Sequence, residues 1–206
     1  FEWGMFRDNP IKILYIWEGG LAIYGGIIAS VITLLVFTKK RGISFLSMAD
    51  SCCLGLVTGQ IIGRWGNFVN CEAFGGYTDN LFAMRIKRSI VNESMISQDV
   101  LDHLITENGI QYIQVHPTYL YESLWCLMVL IIMLLYRKHK KFDGEVFLIY
   151  LLGYGLGRLW IEGLRTDQLL LPKVGLPVSQ LLAGTIVVIS AILIIAGRKK
   201  AAALQK

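Results

Sequence analysis

The sequence predicts an all-α polytopic membrane protein of five transmembrane helices with a small α/β head outside the bilayer. Composition is the first reason: of 206 residues, 54% are hydrophobic and only 17% charged, against about a quarter charged in soluble domains. Length is the second, because apolar runs recur that approach or reach the roughly 18–20 residues needed to cross about 30 Å of hydrocarbon. Charge is the third: Lys and Arg gather after alternate runs, as cytoplasmic loops do under the positive-inside rule. Residues 1–206 are read as one membrane domain, with 77–115 inserted into it as the head.

The opening stretch, FEWGMFRDNP, has neither the basic start nor the apolar middle of a signal peptide. It begins on Phe rather than Met, so further sequence is expected upstream. The expected spans are Leu21–Phe37, Phe45–Ile62, Tyr119–Tyr136, Val146–Leu164 and Leu176–Ala196, the fourth being apolar except for Arg158 and Glu162. Lys39-Lys40-Arg41, Arg137 to Lys141 and Arg198-Lys199-Lys200 each follow an odd-numbered span. That assigns all three to the cytoplasm and leaves 1–20, 64–118 and 165–175 outside. The net charge of +5 is largely this topogenic charge, and its distribution gives no reason to expect nucleic acid.

Within the spans, Gly55, Gly59 and Gly63 repeat every four residues, a stripe that lets another helix approach closely. Gly153 and Gly157 repeat the device in the fourth span, so the second and fourth helices are expected to be neighbours. Cys52, Cys53 and Cys126 are expected to be buried small apolar groups. The four cysteines show no metal-type spacing, and no metal or other cofactor is expected. In the head, LFAMRIKRSIV and IQYIQV alternate apolar and polar residues like strands. SQDVLDHLITENG reads as a short amphipathic helix, capped by Ser97, with apolar Val100, Leu101, Leu104 and Ile105 and a stop at Gly109.

Ionisable side chains at membrane depth cost about 2.5–3.5 kcal/mol each on insertion scales, so they persist where they pair, line a cavity or work. Tyr154, Arg158, Glu162 and Arg165 share one helical face. Taken alone, that stripe fits a structural ion pair as well as it fits a site. Its surroundings favour the site. Arg64, Asn67, Asn70 and Glu72 close the second span, His116, Tyr119, Tyr121 and Glu122 open the third, and Trp17 to Tyr24 lead into the first. In the expected topology all of them meet at the outer leaflet. Arginine suits phosphate, since its planar fork offers paired donors and its charge survives burial. Two or three arginines in an outward-opening cavity therefore suggest an anionic lipid headgroup as ligand. Asn67 and Asn70 would add neutral donors, while Glu72 and Glu162 would orient the guanidinium groups. Gly75, Gly76, Gly25 and Gly26 would allow close backbone approach. His116, beside Pro117, could accept a proton near pH 7. Tyr24, Tyr119 and Tyr121 are aromatics of the headgroup belt.

At these residues the chain resembles the phosphatidylglycerol–prolipoprotein diacylglyceryl transferase family of bacterial inner-membrane enzymes. GRWGNFVNCEAFGG looks like the family signature Gly-Arg-x-Gly-Asn-Phe-x-Asn-x-Glu. WEGGLAIYGG, HPTYLYES and GRLWIEGLRTD look like its other landmarks in the family's order, and the resemblance runs from Trp17 to about Gln180. The family usually has seven spans, so the five readable here leave two N-terminal helices outside this sequence. Many members carry His at the position of Tyr24, and often Gly at that of Cys71.

The resemblance implies transfer of the diacylglyceryl group of phosphatidylglycerol to the lipobox cysteine thiol of a signal-peptide-bearing prolipoprotein. A thioether forms and glycerol phosphate leaves. Arg64 and Arg158 would hold the phosphate and stabilise its growing charge. His116, or Tyr24 with a neighbour, would take the thiol proton, because thiolate is the nucleophile. Asn67, Asn70, Glu72, Gly75, Tyr121, Tyr154 and Glu162 would position the headgroup and the arginines, and Arg165 would guide lipid or peptide. Cys71, although next to Glu72, is not taken as a nucleophile, since the family's thiol belongs to the substrate. The implied partners are phosphatidylglycerol, prolipoproteins and the surrounding membrane lipids. The implied location is the inner membrane, with the site toward the outer leaflet and the head meeting the precursor. The competing class is a transporter of anionic lipids or small anions, which would show access from both sides and related halves with broken helices. The sequence has no internal repeat, and its cytoplasmic ends read as simple Lys and Arg flanks. A noncatalytic scaffold would leave the arginines as structural ion pairs, against which stands their expected gathering at one leaflet.

Overall fold

The computed structural model describes residues 23–165 and 177–204. The chain divides into two compact units, residues 1–48 and 49–206. The first contributes α1, Ile23–Arg41, in the place of the first expected span. Lys39, Lys40 and Arg41 form its last turn, where cations complement the helix dipole. Helix α2, Phe45–Val69, opens in this unit and runs on into the second. There it is followed by β1 (Met84–Lys87), α3 (Gln98–Asp102), β2 (Ile105–Glu107) and β3 (Ile110–Val115). Three long helices complete the unit: α4 (Thr118–Tyr136), α5 (Glu145–Ile161) and α6 (Val178–Ala203).

Four described helical stretches are long and apolar enough to cross a membrane: Phe45–Val69, Thr118–His139, Glu145–Leu164 and Val178–Ala203. Their outer faces expose Leu56, Ile62, Leu127, Ile131, Leu181 and Ile192, while Asp50, Glu122, Glu145 and Glu162 are buried. A water-soluble domain arranges these residue types the other way round. This is a multi-pass membrane protein. Lipid tails are as apolar as the helices, so close packing and polar contacts, rather than a hydrophobic drive, set which faces meet.

Helix α5 lies between α4 and α6 because its small residues point both ways. A Cβ at Gly153 would come within 2.8 Å of Val129, and one at Gly157 within 2.4 Å of Trp125, both on α4. On the other side, a Cβ at Gly155 would come within 2.8 Å of Val187 on α6. Trp125 Nε1 donates to the Gly153 carbonyl at 2.8 Å. The expected glycine stripe of α2 behaves differently: a Cβ at Gly55, Gly59 or Gly63 would meet nothing within 4 Å. Gly153 and Gly157 therefore pack on the third expected span instead of the second. Helix α2 joins through larger groups. Cys53 and Val57 enter a core with Cys126, Val129, Met133, Val146 and Tyr150, Gln60 Nε2 donates to Tyr150 Oη at 2.9 Å, and Ser123 Oγ donates to the Ile61 carbonyl at 3.2 Å. Cys53 and Cys126 are buried as expected, whereas Cys52 is exposed, one residue round the helix from the packed face.

The basic end of this unit is more than a set of flanking cations. Asp50, on α2, accepts from the backbone N–H of Gly144 and of Phe147, each at 2.9 Å, and from Lys140 Nζ at 3.1 Å. It thereby satisfies amides at the start of α5 that have no partner within the helix. Glu145, fully buried, accepts from Tyr136 Oη at 2.9 Å, Arg198 Nε at 2.7 Å and the Lys141 N–H at 2.6 Å. The expectation of simple Lys and Arg flanks is corrected here: two buried carboxylates organise the end, and they were invisible as pairs because their partners lie on other elements.

The segment between α2 and α4 forms a three-stranded antiparallel sheet of order β1-β3-β2. Its core holds Phe74, Ile86, Val91, Val100, Ile113 and Val115. Two expected strands are present, but the helix is shorter than expected and a third strand replaces its second half. Asn108 and Gly109 have φ of 50° and 78°, the left-handed pair of a tight hairpin turn. Asn-Gly therefore joins β2 to β3, where Gly109 was expected to stop a helix. Ser97 does occupy the N-cap of α3, but its side chain makes no capping bond.

Replacing Asp50 by Ala removes the acceptor for two helix amides and leaves Lys140 with Asp143 alone. Thermal unfolding of the detergent-solubilised chain should show a loss of about 3 kcal/mol, and a smaller loss for Asp50→Asn, which keeps one acceptor oxygen.

Candidate active site

At the opposite end of the second unit, three elements bring guanidinium groups to one carboxylate. Arg64 lies in the last two turns of α2, Glu122 sits in the first turns of α4, and Arg158 lies near the end of α5. The Nη2 of Arg64 is 2.6 Å from Glu122 Oε2, while the Nη1 of Arg158 is 3.2 Å from Oε1 of the same carboxylate. Arg165 approaches Oε1 at 3.8 Å. Glu122 is only 4% exposed, while the arginine side chains keep 20%, 17% and 14% of their surface open. The carboxylate is the buried hub, and the donor forks remain partly available.

A second carboxylate holds the arrangement from α5. Arg158 Nη2 also pairs with Glu162 Oε2, one helical turn on. Glu162, 5% exposed, accepts from Ser179 Oγ of α6 at 2.6 Å. Here α5 gives way to a 3-10 turn over Glu162–Leu164, which tightens the helix end and brings Arg165 round toward Glu122. Among the described residues, three guanidinium groups meet two carboxylates here, which gathers planar paired donors of the kind that suit a phosphate.

The loop after α2 fastens this end. Gly75 donates its N–H to the His116 carbonyl at 3.0 Å, Gly76 to that of Leu164 at 3.1 Å, and His116 to that of Gly76 at 3.0 Å. Gly75 also forms a bridge with Arg165, and Thr118 Oγ1 donates to the Ala73 carbonyl. Gly75 thus lies between the His116 segment and the Leu164–Arg165 segment. A Cβ there would stand 2.7 Å from the Leu164 carbonyl oxygen and 2.8 Å from the His116 Cβ. The close backbone approach expected at Gly75 is therefore made by the chain itself. Cys71 and Ala73 have φ of 53° and 55°, so the loop also relies on two left-handed non-glycine residues.

The remaining expected residues fall into place around this loop or away from it. Asn67 and Asn70 donate their Nδ2 groups to Glu72 Oε1 at 3.0 and 3.2 Å. Glu72 therefore orients the two asparagines, where it was expected to orient guanidinium groups. His116 Nδ1 is 3.4 Å from Tyr121 Oη, and burial lowers the imidazole's pKa below its ordinary 6.5, which favours the neutral ring. Tyr154 stacks on Tyr150 at 5.9 Å and packs against the core one turn below Arg158. Tyr24 falls in the first turn of α1; its side chain, like residues 17–22, lies outside the described residues. Glu122 belonged to the expected polar group but carried no expected role. Its position as the shared partner of three arginines is the part the sequence reading missed, and the only signal was its place one turn into a helix whose mouth was otherwise polar. Among the described residues, no group of three His, Cys, Asp or Glu side chains is arranged to hold a metal ion.

Comparison with known proteins decides the family. The family model described as "Prolipoprotein diacylglyceryl transferase" matches residues 2–196. The chain belongs to this family. A protein of Bacillus mycoides (strain KBAB4) named phosphatidylglycerol–prolipoprotein diacylglyceryl transferase is 43% identical over 201 residues, covering 97% of this chain and 68% of that protein. A namesake from Bacillus cereus (strain G9842) is 41% identical over 199 residues, with the same coverage, and one from Bacillus anthracis is 42% identical over 201 residues. The family match spans the residues of the arginine cluster, from Arg64 through Glu122 and Arg158 to Arg165.

Gly75→Ala should break the fastening of this end. With the Cβ forced against backbone on one side and His116 on the other, overpacking costs about 1–3 kcal/mol, read as a lowered melting temperature together with reduced activity.

Proposed function

We infer that this chain transfers the diacylglyceryl group of phosphatidylglycerol to the cysteine thiol of a prolipoprotein. Membership of the family and the names of its relatives favour this over the transport of an anion. The structural observation that carries the site assignment is the sharing of Glu122 by Arg64, Arg158 and Arg165.

In the reaction, the thiolate sulfur attacks the glycerol carbon of the diacylglyceryl group that bears the phosphate ester oxygen. A C–S bond forms, the C–O bond breaks, and its electron pair leaves with the oxygen as glycerol phosphate. The phosphate enters as a monoanionic diester and departs as a monoester approaching dianion charge. Donors that gain from that added charge stabilise the transition state more than the ground state. Arg64 and Arg158 fill this role: their forks are held by buried carboxylates before substrate arrives, so little reorganisation accompanies the chemistry. Arg165 adds a third cation. Glu122 and Glu162 act as positioning residues, fixing guanidinium planes. Asn67 and Asn70, oriented by Glu72, offer neutral donors to the headgroup, and Tyr154 and Tyr121 line the approach. Neutral His116 accepts the thiol proton, with Tyr121 beside its Nδ1; Tyr24 remains the other candidate base. The cluster lies at the end away from Arg137–Lys141 and Arg198–Lys200, which supports an outer-leaflet site in the bacterial inner membrane. The sheet of residues 84–115, on that side, would then face the mature portion of the precursor.

Purified chain, labelled phosphatidylglycerol and a lipobox peptide test this directly. Arg64→Ala and Arg158→Ala should each lower kcat/KM by about 10²–10³-fold, with Glu122→Gln close behind because three arginines lose their common partner. Full activity in folded Arg64→Ala and Arg158→Ala proteins would refute the assignment.

The pH profile tests the base. A base with a lowered pKa stays neutral below pH 6.5, so the acid limb of kcat should lie under that value, with the rate falling as the ring protonates. His116→Gln should be slower and lack the limb; an unaltered limb would transfer the role to another group.

A further inference from the structure

The basic end carries a feature that the transfer reaction does not use. Two adjoining cavities, of about 460 and 300 Å³, lie between the turn joining α4 to α5 and the last turns of α6. They share Lys141 and Ala201; Lys200, Phe142 and Leu204 line the larger and Arg198 the smaller. The cations here are not equivalent. Arg198 is engaged by Glu145 and by Tyr136 Oη, and Lys140 by Asp50 and Asp143. Among the described residues neither Lys141 nor Lys200 has an acidic partner. The Lys141 backbone is nevertheless pinned, because its N–H donates to Glu145.

The apolar side of the larger cavity is also built. Phe142 rests directly on Gly197, where a Cβ would stand 2.4 Å from the ring, so the absence of a side chain there is what admits the aromatic floor. Leading from the cavity into the bilayer, the same face of α6 presents Leu193 and Ile189 outward, one and two turns before Gly197. A two-cation mouth thus opens onto a lipid-facing apolar surface at the end of a membrane helix. Soluble anions have no use for such a floor, whereas a phospholipid has both a phosphate for the lysines and acyl chains for the apolar face.

We propose that Lys141 and Lys200 bind the phosphate of an anionic phospholipid from the leaflet at the basic end, with its chains against Phe142 and the outward face of α6. This site is separate from the Glu122 cluster. The bound lipid ties the α4–α5 turn to α6 and so reinforces the packing of α5 between its neighbours. Its contribution weakens as salt screens the headgroup.

The test uses the full chain in phosphatidylcholine nanodiscs, with and without phosphatidic acid as the probe, read by melting temperature and by native mass spectrometry of retained lipid. Wild type should melt higher with phosphatidic acid and retain it. Lys141→Gln with Lys200→Gln should melt like wild type in phosphatidylcholine alone, gain no shift, and bind roughly 25-fold more weakly, at about fivefold per lysine. Lys200→Gln alone, at an exposed position, should show about the fivefold step. Lys141→Arg with Lys200→Arg should restore binding, and Arg64→Ala should keep the shift. An undiminished shift in the Gln variants, or loss of the shift in Arg64→Ala, overturns the proposal. So does an equal shift from inorganic phosphate or glycerol 3-phosphate in phosphatidylcholine alone, which would make the ligand a soluble phosphate.

Discussion

A single buried carboxylate, Glu122, facing the guanidinium groups of Arg64, Arg158 and Arg165 is the interaction on which the candidate site depends. Removing any one charge from a desolvated cluster leaves the others uncompensated, which is costly where little water can reach them. The cluster therefore constrains the helices as well as the chemistry. Arg64 lies in the last two turns of α2, Arg158 nears the end of α5, and Glu122 lies on α4, so all three helices must present particular faces to one point.

The other end of the bundle solves a different problem with the same chemistry. Asp50 serves amides at the start of α5, and Glu145 collects Tyr136, Lys141 and Arg198. These carboxylates are saturated with donors from their own chain. The two ends together clamp α5, whose middle is packed by Gly153, Gly155 and Gly157 against α4 and α6. A rigid α5 matters because Arg158, Glu162 and the turn to Arg165 all hang from it, and preorganised donors are worth most when they do not move during the reaction.

Much of the site was legible before any fold was known. Arginine and glutamate in apolar runs are expensive enough to announce themselves, and the segments around Arg64, His116 and Arg158 declared a common end through the alternation of basic loops. The face shared by Arg158, Glu162 and Arg165 followed from helical spacing and is seen as an ion pair and a tightened helix end. Other inferences failed for physical reasons. The glycines of α2 were expected to receive a helix, yet small residues only permit close approach and do not attract it. Glu72 is expected beside arginines, but Asn67, in the last turn of α2, and Asn70, just beyond it, are the groups that donate to it. Gly109 reads as a helix stop because the preceding apolar residues suit either period, and the hairpin partner that decides the matter lies in β3.

What the sequence determined by itself is one-dimensional: where apolar runs begin and end, which loops are basic, and which costly polar residues sit near which end. Hydrophobicity and topogenic charge act along the chain, so they can be read along it. Which carboxylate meets which arginine was left to the tertiary structure. Each residue step turns a helix by about 100°, so the meeting of Glu122 with Arg64 and Arg158 depends on how three separate helices are rotated about their axes. That rotation is set by the packing of Trp125, Val129 and Val187 on the glycines of α5 and by the backbone clasp at Gly75, contacts that join residues far apart in the sequence.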